Sequence, residues 1–178
     1  MRVILILSLL FSNLFASAEF LSARIKVIGL TCSMCSKSVH NALSSIDFID
    51  SVAVDLESTE FKVFFKTDKN VVIDKIKQKI EDAGFSIGEM NMTFKFSDLA
   101  IHNDTHHEYQ DNLYHFVNVK EQTLKGITNF KIIDKGFVSS RDFKKYVKLT
   151  TYNCIKTGRT SACCKTGKEG TRIYHITI

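Results

Sequence analysis

The sequence predicts an α+β fold in which two helices cover one face of an antiparallel sheet, followed by a small mixed or mostly β C-terminal domain. Two observations support the first part. Apolar residues recur at three- and four-residue spacing in two segments, and they alternate with polar residues in the segments between them. The segments follow the order β-α-β-β-α-β, which predicts a ferredoxin-like sandwich.

Each element of this unit has its own signal in the sequence. A short β-forming segment at 25–29 leads through a loop to a helix with one apolar face. Two alternating segments, at 51–56 and 61–66, predict a hairpin across a polar turn. A second helix over 73–83 has regularly spaced isoleucines and ends at Gly84, a residue typical of helix C-termini. The last strand begins directly after it.

Residues 1–18 predict a cleavable secretory signal. They begin with a positive charge at Arg2, continue with an apolar run from Val3 to Phe15, and end in the small residues Ala-Ser-Ala. The run is shorter than the roughly 20 apolar residues that a membrane-spanning helix needs, which argues against an uncleaved anchor. We therefore expect cleavage after Ala18, no membrane insertion of the mature chain, and a periplasmic or secreted location.

The overall composition narrows the function classes. The formal net charge of +5 comes from scattered lysines and arginines, a distribution that does not indicate nucleic-acid binding. The chain has five cysteines, no proline and no tryptophan. Because five is odd, an exported chain cannot pair all its thiols internally, so either one thiol stays unpaired or a pair is kept for metal.

Cys32 and Cys35 form a C-x-x-C motif where the first strand meets the first helix. A helix N-terminus stabilises thiolates, and two intervening residues let both sulfurs converge on one ion. Two thiolates without a carboxylate or imidazole nearby in sequence select soft cations: Cu(I), Ag(I), Hg(II) or, less well, Zn(II). Because structural zinc needs four ligands and copper is the more available soft ion, the motif favours Cu(I).

The same motif is compatible with a thiol–disulfide oxidoreductase. Thioredoxin-like enzymes usually have an aromatic residue before the first cysteine and a cis-proline beside the motif, whereas this chain has Thr31 and no proline. We therefore expect a binding protein without enzymatic activity and keep the oxidoreductase as the alternative. A metal-dependent sensor or docking module, whose second domain meets a protein partner, is a third hypothesis.

The loop at 29–35, Gly-Leu-Thr-Cys-Ser-Met-Cys, resembles the G-M-T-C-x-x-C loop of heavy-metal-associated domains. Ala-Gly-Phe at 83–85 resembles the motif that follows their second helix, and the resemblance covers residues 22–92. Such domains occur in copper chaperones, copper-pumping ATPases and periplasmic mercuric-ion-binding proteins. The resemblance implies that Cys32 and Cys35 bind the metal and that the aromatic residue packs near the loop. It also implies a metal donor or acceptor protein as partner, for example a metal transporter.

Three departures from the family pattern leave the site intact. Leu30 replaces a methionine that is generally a buried loop anchor, a role that leucine can fill. Residues 47–50 replace the common Pro-Gly-Val before the second strand, which alters only a turn. Met34, between the cysteines, is expected to be an exposed residue, with a weak thioether ligand as the alternative.

Residues 93–113 predict a polar linker that contains several histidines. His102 and His106 are four residues apart, so on a helix they would share a face, and His107 follows directly. We expect a solvated inter-domain segment. The alternative is an auxiliary copper or zinc site formed by these histidines.

Residues 114–178 predict a C-terminal domain of a family that the sequence does not identify. Strand-like segments lie at 114–119, 130–133 and 173–178, and a serine at 139 or 140 indicates the start of a short helix.

The cysteines of this domain allow two interpretations. A disulfide from Cys154 to either Cys163 or Cys164 is expected in an oxidising compartment, because adjacent cysteines do not easily both face one partner. The alternative is a second soft-metal site formed by Cys163 and Cys164, with His175, or a set of ligands that accepts copper from the first motif.

Overall fold

The computed structural model describes residues 18–55, 57–160, 164 and 168–178. The predicted signal peptide, apart from Ala18, and Cys163 therefore lie outside the described residues. Within the described part of the chain, no helix combines the length and the apolar character that a bilayer crossing requires.

The N-terminal half has the predicted βαββαβ order. Its elements are β1 (Glu19–Ile28), α1 (Ser33–Ser44), β2 (Ile49–Asp55), β3 (Glu60–Phe65), α2 (Ile73–Asp82) and β4 (Ser86–Ile101). The four strands pair antiparallel in the order β2-β3-β1-β4. This arrangement confirms the ferredoxin-like fold of the N-terminal half.

Both helices pack on one face of these strands because each presents a regular apolar stripe. One continuous core contains buried side chains from the helices and from the strands beneath them: Val39, Leu43, Ile73, Ile76, Ile80, Ile25, Val27, Phe61 and Val63. Burying one such side chain contributes about 1.5–3 kcal/mol. The helices and β1 are therefore held firmly, and so are the two ends of the loop that joins β1 to α1.

The C-terminal half adds four strands to the same sheet. Its elements are β5 (His106–Tyr109), β6 (Asn112–Phe116), β7 (Gln122–Ile132), α3 (Ser140–Tyr146), a 3-10 turn (Val147–Leu149), α4 (Cys154–Thr157) and β8 (Ile173–Thr177). The eight strands lie in the order β2-β3-β1-β4-β7-β8-β6-β5. β8 is antiparallel to β7 and parallel to β6. The fold class is thus α+β with one large sheet.

Strand β4 continues past residue 92, where the sequence predicted the end of the first domain. It is 16 residues long and pairs with β1 along its first part and with β7 along its second. Residues 93–113, expected as a linker, instead contribute to β4, β5 and β6. The physical reason is that Phe94 and Phe96 continue the buried alternation of Met90 and Met92, so the strand remains in the core.

The helix and strands expected in the C-terminal half have counterparts in the structure. Ser139 caps α3, since its hydroxyl oxygen accepts a hydrogen bond from the Asp142 N–H at 3.1 Å. β6, β7 and β8 overlap the three expected strands. Two elements were not predicted, β5 and α4, and each is four residues long. Four residues are too few for a clear periodic signal.

Arg172 joins the C-terminal half to helix α2. Its guanidinium donates to the Asp74 carboxylate at 2.7 and 3.1 Å and lies 3.1 Å from Asp134 Oδ2. The Asp134 side chain is 5% exposed, whereas that of Asp74 is 45% exposed. If the cationic partner is removed, a buried carboxylate lowers the stability of the fold much more than an exposed carboxylate does, because its buried charge stays uncompensated.

We expect Arg172→Ala to lower the free energy of unfolding by about 3 kcal/mol, because Asp134 would remain buried without its counter-ion. Asp74→Ala, the matched change, should cost about 1 kcal/mol or less, since it removes a half-exposed carboxylate. Urea unfolding followed by circular dichroism measures both values. Equal losses in the two variants would contradict this account of the ion pairs.

Candidate metal centre

The loop between β1 and α1 is fixed by its surroundings. β1 leaves the sheet at Ile28, which pairs with Ser86. Gly29 then adopts a φ of 96°, a value that residues with a Cβ rarely adopt. Leu30 packs, partly buried, against the main core, and the Phe85 ring lies 3.6 Å from where a Cβ on Gly29 would be. Leu30 and Phe85 thus support the base of the loop.

Cys32 is the N-cap residue of α1, and Cys35 lies in its first turn. Cys32 has an extended backbone, and its sulfur accepts a hydrogen bond from the Cys35 N–H at 3.3 Å. This sulfur takes the place of the side-chain oxygen found at many helix starts. Cys32 is exposed and Cys35 is half-buried, so an incoming ion can reach the pair at the positive end of the helix.

The local electrostatics favour the thiolate form of Cys35. A hydrogen bond from the Cys32 side chain, followed by one from the Thr31 backbone, lowers the pKa of Cys35 below its ordinary value. None of the first-turn residues of α1, all of which the structure describes, is acidic. The partial positive charge of the helix start therefore acts on the sulfurs without an opposing carboxylate beside them. The arrangement suits soft-metal capture, and a thiolate is also the reactive form in disulfide exchange.

The family model of the heavy-metal-associated domain matches residues 24–86, which contain both cysteines. The copper chaperone CopZ of Staphylococcus saprophyticus is 36% identical over 63 residues, which are 35% of this chain and 91% of that protein. The chain belongs to the heavy-metal-associated domain family. Its membership rests on the N-terminal half, since residues 87–178 lie outside the match.

Two further proteins are similar to this part of the chain. A probable copper-exporting P-type ATPase of Archaeoglobus fulgidus is 35% identical over 63 residues, which are 35% of this chain and 8% of that protein. The solved structure of a CopZ metallochaperone is 32% identical, covers 40% of this chain and 98% of that chain, and has a TM-score of 0.33. The chain therefore spans most of the chaperones' length and a small part of the ATPase.

The histidines considered as auxiliary ligands do not share a helix face. His102 is exposed in the turn after β4, while His106 and His107 are consecutive in β5. Consecutive strand residues point to opposite sides of a sheet. His106 accordingly stacks on His115 at 4.3 Å, whereas His107 borders an aromatic pocket near Phe94. The structure does not bring these three histidines together.

The sequence indicated His175 as a possible ligand in the C-terminal half, but not the two residues that the structure places beside it. Within the described residues, one set of three potential ligands lies close together, namely His115, Cys154 and His175. They come from β6, α4 and β8, so no local spacing connects them in the sequence. A histidine inside an apolar strand, as between Tyr174 and Ile176, is the signal that could have identified them.

The cysteine pairing in the C-terminal half stays a prediction. Cys164 packs against a small core that contains Cys154, Leu113 and Ile173, which places it in the neighbourhood that a disulfide would need. Cys163, the other candidate partner and a candidate ligand, lies outside the described residues.

We expect Cys32→Ala to raise the pKa of Cys35, because the change removes the hydrogen bond that lowers this pKa most. The rate of Cys35 alkylation by iodoacetamide should then reach its half-maximum at a higher pH, since the thiolate is the reacting form. Peptide mass spectrometry over a series of pH values measures this rate. Ser33→Ala, which leaves both sulfurs in place, is the control. An unchanged midpoint in Cys32→Ala would contradict the assigned hydrogen bond.

Proposed function

We propose that this chain is an exported Cu(I) carrier that captures the ion between Cys32 and Cys35 and then transfers or sequesters it. The observation that supports this function best is the thiol pair at the start of α1, where the Cys32 sulfur lies 3.3 Å from the Cys35 backbone nitrogen. The ion moves between sets of thiolates, and no substrate is chemically transformed.

The donor set suits a soft ion held at low coordination number. The residues beside the cysteines, Thr31, Ser33 and Met34, add no thiolate, imidazole or carboxylate. Two thiolates are sufficient for Cu(I), whereas structural Zn(II) sites use four ligands. A two-coordinate ion on an accessible loop also leaves room for a third thiolate from another protein. Such a thiolate would allow transfer by exchange of one ligand at a time.

The relatives support copper over the other soft ions. Ag(I) and Hg(II) suit the same two thiolates, so the ligands alone do not distinguish them. Two matched proteins are described by their names as a copper chaperone and a probable copper-exporting ATPase. By analogy with them, the partner of this chain would be a copper donor or acceptor protein, such as a metal transporter.

The export part of the proposal is based on residues 1–18. Their apolar run and small-residue end are typical of a cleaved secretory signal. The mature protein would then work in a periplasm or outside the cell, where its thiols must stay reduced to bind an ion.

We expect the reduced mature protein to bind one equivalent of Cu(I) in competition with a chromogenic chelator. Cys32→Ser and Cys35→Ser should each weaken binding by about 100-fold or more, which corresponds to about 2.8 kcal/mol, because one thiolate cannot hold the ion alone. Met34→Leu is the matched control. Met34 is 70% exposed, so the loss of its thioether should change the affinity little.

Two results would contradict the proposed carrier. Binding that survives in both cysteine variants would place the ion elsewhere in the chain. An absence of Cu(I) binding, together with reduction of insulin disulfides by the wild-type protein, would support the oxidoreductase instead.

A further inference from the structure

Three potential ligands form a buried cluster in the C-terminal half. The ligand atoms of His115, Cys154 and His175 all lie within 4.8 Å of one another, and the Cys154 sulfur is 3.3 Å from His175 Nε2. The exposed fractions of the three residues are 0%, 1% and 0%. A thiol and two imidazoles are rarely placed together in a protein interior without a role, because polar groups are costly to bury.

Each imidazole is oriented by a carboxylate on its far side. His175 Nδ1 lies 2.7 Å from Asp134 Oδ1, and His115 Nε2 lies 2.8 Å from Asp104 Oδ1. One nitrogen of each ring is thus bonded to a carboxylate, which leaves His175 Nε2 and His115 Nδ1 for other partners. Metal-ligating histidines have this second interaction almost always, since it fixes the ring and raises its basicity.

His115 Nδ1 is the ring nitrogen that Asp104 does not contact. It is buried and has no hydrogen-bond partner among the described residues. A buried polar atom of this kind destabilises the folded protein unless something binds it.

We propose that His115, Cys154 and His175 form a second metal site, which holds one copper ion through two imidazole nitrogens and one thiolate. When a metal lies roughly 2.0 Å from each nitrogen and roughly 2.3 Å from a sulfur, the ligand atoms are roughly 3.4–3.8 Å from one another. The 3.3 Å contact between sulfur and His175 Nε2 needs little adjustment to meet this spacing. Trigonal sets of two histidines and one cysteine are typical of copper.

The Cys154 thiol, the His175 imidazole and the Asp134 carboxylate also contact one another in sequence, as in enzymes that activate a cysteine nucleophile. Two observations favour the ion. The sulfur and the imidazole are almost fully buried, which suits a small ion better than a substrate. A nucleophile also needs no second histidine, whereas His115 offers a third ligand atom within 4.8 Å of the other two.

The test uses the full mature chain with Cys32→Ser and Cys35→Ser, so that failure of this site and failure of the first are distinguishable. The protein is reduced before titration, because the predicted disulfide would occupy the Cys154 sulfur. We expect it to bind one equivalent of Cu(I) and to unfold at a temperature several degrees higher with the ion than without it. One-electron oxidation of the bound Cu(I) to Cu(II) by added ferricyanide, which is itself reduced to ferrocyanide, should give an intense thiolate-to-copper charge-transfer band.

Single changes identify the ligands. Cys154→Ser and His115→Gln should abolish both the stabilisation and the band, while circular dichroism of the metal-free variants checks their folding. His106→Phe is the matched control, because it keeps the ring stacked on His115 and should keep both signals. If a variant fails to fold, Co(II) added to the parent protein reports a thiolate ligand by its own charge-transfer band.

The outcomes separate the alternatives. A Co(II) band and Zn(II) stabilisation, without Cu(I) binding, would overturn the choice of copper. Loss of binding in His106→Phe but not in His115→Gln would overturn the ligand set. Rapid alkylation of Cys154 that no metal slows, with no stabilisation by any ion, would overturn the site and support the nucleophile.

Discussion

The pairing of β4 with a strand on each side sets the geometry of both halves of the molecule. If the sheet had only the four strands of the N-terminal half, β4 would be an edge strand with unpaired backbone groups. Here β7 pairs with β4 from Asn91 to Ile101. On the other side the register with β1 places Ile28 opposite Ser86, which decides where β1 leaves the sheet and where the loop with Cys32 and Cys35 begins. A slip of one residue would turn every β4 side chain to the opposite face, so the core and the position of Cys32 depend on one register.

The sequence was sufficient for the N-terminal half because its signals are local. Helix stripes, strand alternation and the spacing of Cys32 and Cys35 each extend over fewer than about 18 residues, the length over which periodicity is readable. The C-terminal half depends on pairing between distant strands. Strand β5 is stabilised by its pairing with β6. Cys154 contacts His175 because of the order in which the strands lie in the sheet. No local pattern contains this information, so a linker was expected where strands form.

The two proposed metal sites differ in how accessible and how varied their ligands are, which governs how fast an ion would exchange. At the start of α1 the two proposed ligands are both thiols, one exposed and one half-buried, so a bound ion would remain open to attack by another thiolate. In the C-terminal cluster the ligands are buried and mixed, and Asp104 and Asp134 hold the imidazoles in place. Ligands fixed in this way reorganise little on binding, which favours retention over rapid release. With both proposed sites, one chain would combine a position suited to transfer with one suited to storage.

Alternation along β8 has a consequence for how ions reach the protein. Arg172 binds Asp74 of α2 and lies over the Tyr174 ring at 3.9 Å, so Tyr174 faces the helical layer. Its neighbour His175 faces the other way, because adjacent strand residues point to opposite sides. The proposed ligand His175 therefore lies on the face of the sheet opposite to the core that α1 and α2 cover. If the proposed second site binds an ion, the sheet would shield that ion from a partner protein docked over α1 and α2.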